Sequence, residues 1–175
     1  MSNSFEILMN QLGMPAEMRQ APALSQADIE RVVVHKISKV WEFHFVFSNI
    51  LPIEIFLELK KGLREEFSKT GNKAVFEIKA LSQEFSNQLL QSYYREAFSE
   101  GPCASQGFKS LYQHLQVRAE GNQLFIEGSE AIDKEHFKKN HLPNLTKRLE
   151  KFGFPTFNCQ VEKNDVLTQE QEEAF

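Results

Sequence analysis

Apolar and polar positions alternate with period two over residues 40–47. Trp41, Phe43, Phe45 and Phe47 fall on one side and Glu42 and His44 on the other, the pattern of a strand with one buried face. Residues 29–38, rich in β-branched side chains, precede it, and the tight connection at Ser38 and Lys39 predicts a hairpin. His35 and His44 then sit on opposite strands of that hairpin, on its outer face. The period changes to three and four over 52–69, where Phe56, Leu59, Leu63 and Phe67 mark the buried stripe of a helix opened by Pro52. Gly71 and Asn72 break the chain, and Phe76, Ile78 and Ala80 share one face of a third strand over 75–80. Ahead of the hairpin, residues 5–12 predict a short helix capped by Ser4 and stopped by Gly13 and Pro15. Residues 14–26 read as a helix fragment followed by a loop.

The second half repeats the plan with different residues. Ser82 caps a predicted helix that buries Phe85, Leu89 and Tyr93 and ends before Gly101 and Pro102. Another helix carries Ala104, Phe108, Leu111, Tyr112 and Leu115. Residues 116–120 and 123–128 flank Gly121 and Asn122, a strong hairpin signal. After a polar, partly helical link, Leu142, Leu145, Leu149 and Phe152 mark an amphipathic helix stopped by Gly153 and Pro155. Phe157, Cys159 and Val161 alternate along a last strand. Each half therefore reads helix, hairpin, helix, strand. The fold class expected is α+β, two small modules, each with a three-stranded sheet covered on one face by helices. The break between them falls near residues 69–82.

Composition sharpens this picture. Hydrophobic residues make up 41% of the 175, enough for a core, and there are 16 Phe against 1 Trp and 3 Tyr. Phe adds apolar area without a polar atom to satisfy, which helps modules with a poor surface-to-volume ratio. Core packing is the ordinary use of so many Phe; placement of some at an interface is the alternative. Residues 1–80 carry ten basic and ten acidic groups, whereas 81–175 carry ten and fourteen, and the excess lies in 162–175. A folded part near neutrality argues against a chain whose main task is to grip a nucleic-acid backbone. Two cysteines without zinc or disulfide spacing, a beginning that lacks the charge-then-apolar order of a signal peptide, and no apolar run near the roughly 18 residues of a membrane span predict a cytoplasmic chain.

No catalytic signature emerges. Neither G-x-x-x-x-G-K-[ST] nor G-x-G-x-x-G occurs. Metal-dependent phosphoryl transfer needs several converging carboxylates, and the three aspartates, Asp28, Asp133 and Asp165, are scattered. Asp133, Lys134 and Glu135 spell D-x-E, yet the sequence before them makes a poor strand, and acids at a helix start are the ordinary reading. His136 and His141 lack a Cys or acid at zinc spacing. Cys103 has no partner base and reads as an inert thiol. One stretch is suited to binding: Lys134, Lys138, Lys139, Lys147, Arg148 and Lys151, with His141 among them, make 134–151 the most positive part of the chain. A solvated helix face is the ordinary reading; contact with phosphates or an acidic partner is the functional one.

Five runs carry a resemblance: FEILMNQLGMP from Phe5, HKISKVWEFHFVFSNILP from His35, SYYREAF followed by CASQGF from Ser92, GNQLFIEGSEAIDKEHFKKNHLPNL from Gly121, and KFGFPTFNCQVE from Lys151. Together they resemble the N-terminal region of DNA polymerase III of the PolC type, the replicative polymerase of low-GC Gram-positive bacteria. The resemblance implies two small non-catalytic domains that precede an OB-fold, a histidinol-phosphatase-like domain with an inserted 3′–5′ exonuclease, and the polymerase core. It implies a first module over 1–72, similar to the polymerase-contacting domain of the clamp loader's tau subunit. A second, over 73–165, is similar to a truncated type II KH domain, and the acidic TQEQEEAF run places a linker over 166–175. Replisome proteins are the implied partners, with the tau subunit a candidate, and single-stranded or primed DNA is the alternative through 134–151. No cofactor is implied for this stretch, since the family's divalent metals belong to its catalytic domains. No catalytic residue carries across, and the G-x-x-G loop by which KH domains hold single strands is absent.

Overall fold

The structure is a computed structural model and describes residues 1–99, 112–128 and 134–163, with the backbone alone at 134 and 163. The chain forms two compact units, one of Met1–Glu84 with Lys151–Phe154, the other of Phe85–Glu150 with Pro155–Phe175. Each holds a three-stranded sheet with helices packed on it, so the α+β reading of two small modules is correct.

The first unit begins with α1 (Asn3–Leu12), a short α2 (Ala16–Arg19) and a 3-10 turn at Pro22–Leu24. Strands β1 (Asp28–His35) and β2 (Val40–Phe47), helix α3 (Ile53–Ser68) and strand β3 (Lys73–Ala80) follow. The sheet order is β1-β2-β3, with β1 antiparallel and β3 parallel to β2. The α3 crossover is what allows β3 to return in the same direction as β2. Lys39 supplies a left-handed turn residue (φ 57°) between β1 and β2. The register of β1 shifts between Ile29 and Arg31, a bulge at Glu30.

The core of this unit is an aromatic column. Phe43, Phe45 and Phe47 stack along β2 with ring centroids 5.7 and 5.6 Å apart, and all three are buried. Phe5 of α1 meets Phe45 and Phe47 edge-on at 5.7 and 5.5 Å. Phe67 of α3 packs on Trp41 and Phe43, and Phe56 lies between Phe76 and Phe152. Leu59 and Leu63 of α3 are fully buried beside them. Such pairs contribute about 0.5–1.5 kcal/mol each beyond the area they bury. Gly153 closes the core from the returning segment. At φ 106° a side chain there would be strained, and a Cβ would lie 3.3 Å from that of Ala80.

Two caps differ from the expected ones, each because tertiary bonds decide where a helix begins. Ser2, rather than Ser4, caps α1 and accepts from the Phe5 N–H at 3.3 Å. It is held there because its own N–H donates to Ala27 O and the Met1 ammonium to Ser25 O. Ser82 caps no helix: Leu81 and Ser82 donate to the Phe47 and Ser48 carbonyls and prolong the β3 pairing, and α4 begins only at Asn87. The cap is Ser86, which accepts from the Leu89 N–H at 3.1 Å.

The expected module boundary at 72/73 is corrected by the same pairing. β3 runs in register with β2 from Lys73 beside Val40 to Ala80 beside Phe47. It is therefore the third strand of the first unit, which extends to Glu84 and also takes in Lys151–Phe154.

The second unit contains α4 (Asn87–Glu96), the hairpin β4 (Gln116–Glu120) and β5 (Gln123–Gly128), α5 (Lys134–Asn140), α6 (Leu142–Lys151, whose last residue belongs to the first unit) and β6 (Asn158–Lys163). The order β4-β5-β6, antiparallel then parallel, repeats that of the first sheet. Gly121 turns the hairpin at φ 58°. Leu90, Tyr93 and Tyr94 of α4, Leu124 and Ile126 of β5, Phe137 of α5, and Leu145 and Leu149 of α6 are buried. The buried positions of α4 are thus displaced from the expected set. Leu89 is half-buried, and Phe85 lies before the helix, 6.0 Å from the Phe157 ring. Among the described residues no helix is long and apolar enough to cross a membrane. The expected helix carrying Ala104 to Leu115, as far as residue 111, Cys103, Asp133, Asp165 and the 166–175 linker lie outside the described residues.

Phe45→Ala removes the centre of the aromatic column and should destabilise the first unit by about 3–5 kcal/mol. A urea melt followed by far-ultraviolet circular dichroism measures this. A loss below roughly 1 kcal/mol would mean the column is not the core.

Candidate functional site

The residues of the basic stretch are placed differently along α5 and α6. Lys134 opens α5, and Lys138 and Lys139 lie exposed in its last turn, where the helix dipole favours cations. Consecutive residues on a helix point about 100° apart, so these two diverge. On α6, Leu145 and Leu149 are buried, which turns exposed Lys147 and Lys151 to the opposite side, while Arg148 is half-buried on the flank. Lys151 belongs to the first unit, and its Nζ lies 3.6 Å from Glu77 Oε1. Glu135 and Glu150 interrupt the positive charge, both exposed.

His141 is half-buried, with its ring 5.7 Å from Tyr112, 6.4 Å from Phe137 and 5.2 Å from His136. Burial first, and the neighbouring His136 second, lower its pKa from the ordinary 6.5. It is therefore a neutral aromatic partner at pH 7 and adds no charge to the stretch.

The solvent side of the second sheet is no more cationic. Arg118 of β4 reaches Glu120 at 2.7 Å, Glu127 at 3.2 Å and Glu162 at 3.4 Å, and its guanidinium lies 4.2 Å above the Phe125 ring. Three carboxylates thus surround one cation. The β4 edge is sealed by amides of α4. Gln91 accepts from the Val117 N–H at 2.8 Å and donates to Leu115 O at 2.9 Å, and Asn87 accepts from the Ala119 N–H at 2.9 Å. Cys159 is half-buried, and burial pushes its thiol up to about 11, which leaves it protonated and unreactive near neutral pH.

The first sheet brings together groups that the sequence left apart. Glu42 and His44 project from the face of β2 opposite the aromatic column, and β3 sets Glu77 beside His44. His44 Nε2 lies 3.3 Å from Glu42 Oε1, and its Nδ1 lies 3.6 Å from Glu77 Oε2. His35 Nε2 meets the other Glu42 oxygen at 3.3 Å. The i, i+2 pair Glu42 and His44 is visible in the alternation of 40–47. Glu77 joins it only through the β2–β3 register, for which sequence offers no local signal.

Comparison with known proteins adds the decisive observation. Residues 4–78 match the family model described as DNA polymerase III polC-type N-terminus I, and residues 92–175 match DNA polymerase III polC-type N-terminus II. The chain belongs to the PolC-type DNA polymerase III family, as its N-terminal region. It is 96% identical over 175 residues to the DNA polymerase III PolC-type of Streptococcus pneumoniae serotype 2, 63% to that of Streptococcus sanguinis and 45% to that of Streptococcus suis. In each case the whole chain is covered, and it spans 12% of the relative's length. No solved structure matches it. The break between the two family models, after 78 and before 92, coincides with the passage from β3 to α4.

Because His141 is held below its ordinary pKa, the unfolded chain binds more protons than the folded one between that lowered value and 6.5. Stability should therefore fall as pH drops through about 6.5, and the dependence should end once both states are protonated. Thermal melts from pH 7.5 to 5 are expected to fall less steeply for His141→Gln than for the parent chain; parallel slopes would refute this. For Cys159, a Cys103→Ser variant should resist alkylation at pH 8 until denatured. Rapid labelling of the folded chain would contradict the burial described.

Proposed function

We propose that this chain is a non-catalytic, partner-contacting segment of a cytoplasmic replicative DNA polymerase III. The rest of that protein would carry template-directed synthesis and 3′–5′ proofreading with their divalent metals. Its role is to dock a protein of the replisome, and the clamp loader's tau subunit is the candidate.

The supporting observation is the β1 edge. β1 pairs with β2 on one side only, and Val32, Val34 and Ile37 are exposed along it and at the adjoining turn. Edge strands are templates for pairing with another chain, and proteins usually blunt them. The Glu30 bulge and the charges of Glu30 and Arg31 blunt the first half of β1. Its second half, Val32 to Val34, carries no such device, in contrast with the sealed β4 edge. The near-neutral folded part favours a protein over a nucleic-acid backbone.

Binding of purified tau subunit and other replisome proteins to the 175-residue chain tests the reading by biolayer interferometry. The double substitution Val32→Glu with Val34→Glu should weaken capture roughly tenfold or more while the melting temperature holds. Equal capture by that folded variant would remove β1 from the interface.

A second reading, contact with single-stranded or primed DNA, rests on exposed Lys138, Lys139 and Lys147 with half-buried Arg148. It requires steep salt dependence and loss of binding when these four become Glu. Binding that survives the reversal would dismiss it.

A further inference from the structure

The outer face of the first sheet holds a set of groups that neither the fold nor the proposed docking role uses. We propose that Glu42, His44 and Glu77 bind one divalent transition-metal ion of the zinc class.

The geometry starts from the strands. Glu42 and His44 are two residues apart on β2, so they share a face, and His44 stands directly beside Glu77 in the parallel β2–β3 register. One ligand atom from each residue lies within 4.8 Å of the other two. The shortest edge, 3.3 Å between His44 Nε2 and Glu42 Oε1, matches the roughly 3.3–3.5 Å between ligands on a tetrahedral ion with bonds of about 2.0–2.1 Å. The widest edge closes by about 1.3 Å to meet the same geometry. The two glutamates have the freedom to do so, being 28% and 36% exposed, whereas the His44 side chain is 12% exposed and stays fixed.

A second observation points to an occupant. His44 Nε2 is buried and makes no hydrogen bond, although Glu42 lies at contact distance. A buried ring nitrogen is ordinarily satisfied. A nitrogen in that state, with the Glu42 carboxylate at 3.3 Å and Glu77 against the same ring, offers a lone pair where an ion would sit. The donor set decides the class. Imidazole with carboxylates suits zinc and its first-row neighbours, the absence of thiolate removes the advantage of copper(I), and calcium prefers six to eight oxygens.

The surrounding charges are consistent with a dication. With His44 neutral, Glu42, Glu77 and Lys151 sum to one negative charge, and the Lys151 Nζ competes for Glu77 at 3.6 Å. His35 meets the second Glu42 oxygen and steadies that carboxylate from outside.

Isothermal titration of the 175-residue chain with Zn²⁺ at pH 7.5, with Co²⁺ visible spectra in parallel, tests the site. One ion per chain is expected. Glu42→Gln and His44→Gln should each weaken binding roughly tenfold or more and abolish the Co²⁺ ligand-field band. Lys151→Ala should tighten binding severalfold, a gain that a purely structural cluster would not show. The double variant His136→Gln with His141→Gln removes the other histidine pair and should bind as the parent does. Absence of Zn²⁺ uptake by the parent chain overturns the proposal, and so does undiminished uptake by folded Glu42→Gln. Glu42 is more exposed than His44, so its variant remains informative even where His44→Gln fails to fold.

Discussion

The aromatic column on β2 is the constraint on which the first unit depends. Phe43, Phe45 and Phe47 lie at every second position and are all buried, so the strand has one possible orientation. A slip of one residue would expose the column and bury Glu42 and His44. With β2 so held, β1 and β3 must pair in the registers that extend the same apolar face, and α1 and α3 supply the rings that cover it. The outward position of His44, and of Glu77 beside it, is a by-product of that choice.

The two units use one topology and treat their edges differently. In the second, Gln91 and Asn87 of α4 occupy the β4 backbone groups, as a neighbouring strand would. In the first, α1 and α3 are committed to the aromatic face, and the Val32–Val34 half of β1 remains exposed. The same order of elements therefore gives one closed edge and one open edge. The difference rests on two amide side chains placed one turn apart on α4.

Charge density along a sequence is a poor guide to charge density on a surface. The stretch 134–151 is the most basic in the chain, yet adjacent Lys138 and Lys139 diverge on α5, Arg148 is half-buried, and burial holds the His141 pKa down. Glu77 takes up Lys151, both residues belonging to the first unit. Arg118 shows the opposite case. A single arginine in a mixed strand gathers Glu120, Glu127 and Glu162 because the β4–β5–β6 register brings them to it.

What the sequence determined by itself follows from short-range periodicity. Period two committed β2 and β3 to their faces, Gly121 and Asn122 placed the second hairpin, and the three-and-four spacing of Phe56, Leu59 and Leu63 set the buried side of α3. The likeness of long runs to the PolC family was also legible, because it resides in residue identity. Tertiary structure decided what depends on partners distant in the chain. Helix starts moved to Ser2 and Ser86 because distant carbonyls hold the backbone around them. β3 joined the first unit because its pairing with β2 runs its whole length. Glu77 met His44 for the same reason: a parallel register across a helix crossover is fixed by packing, and local sequence carries no record of it.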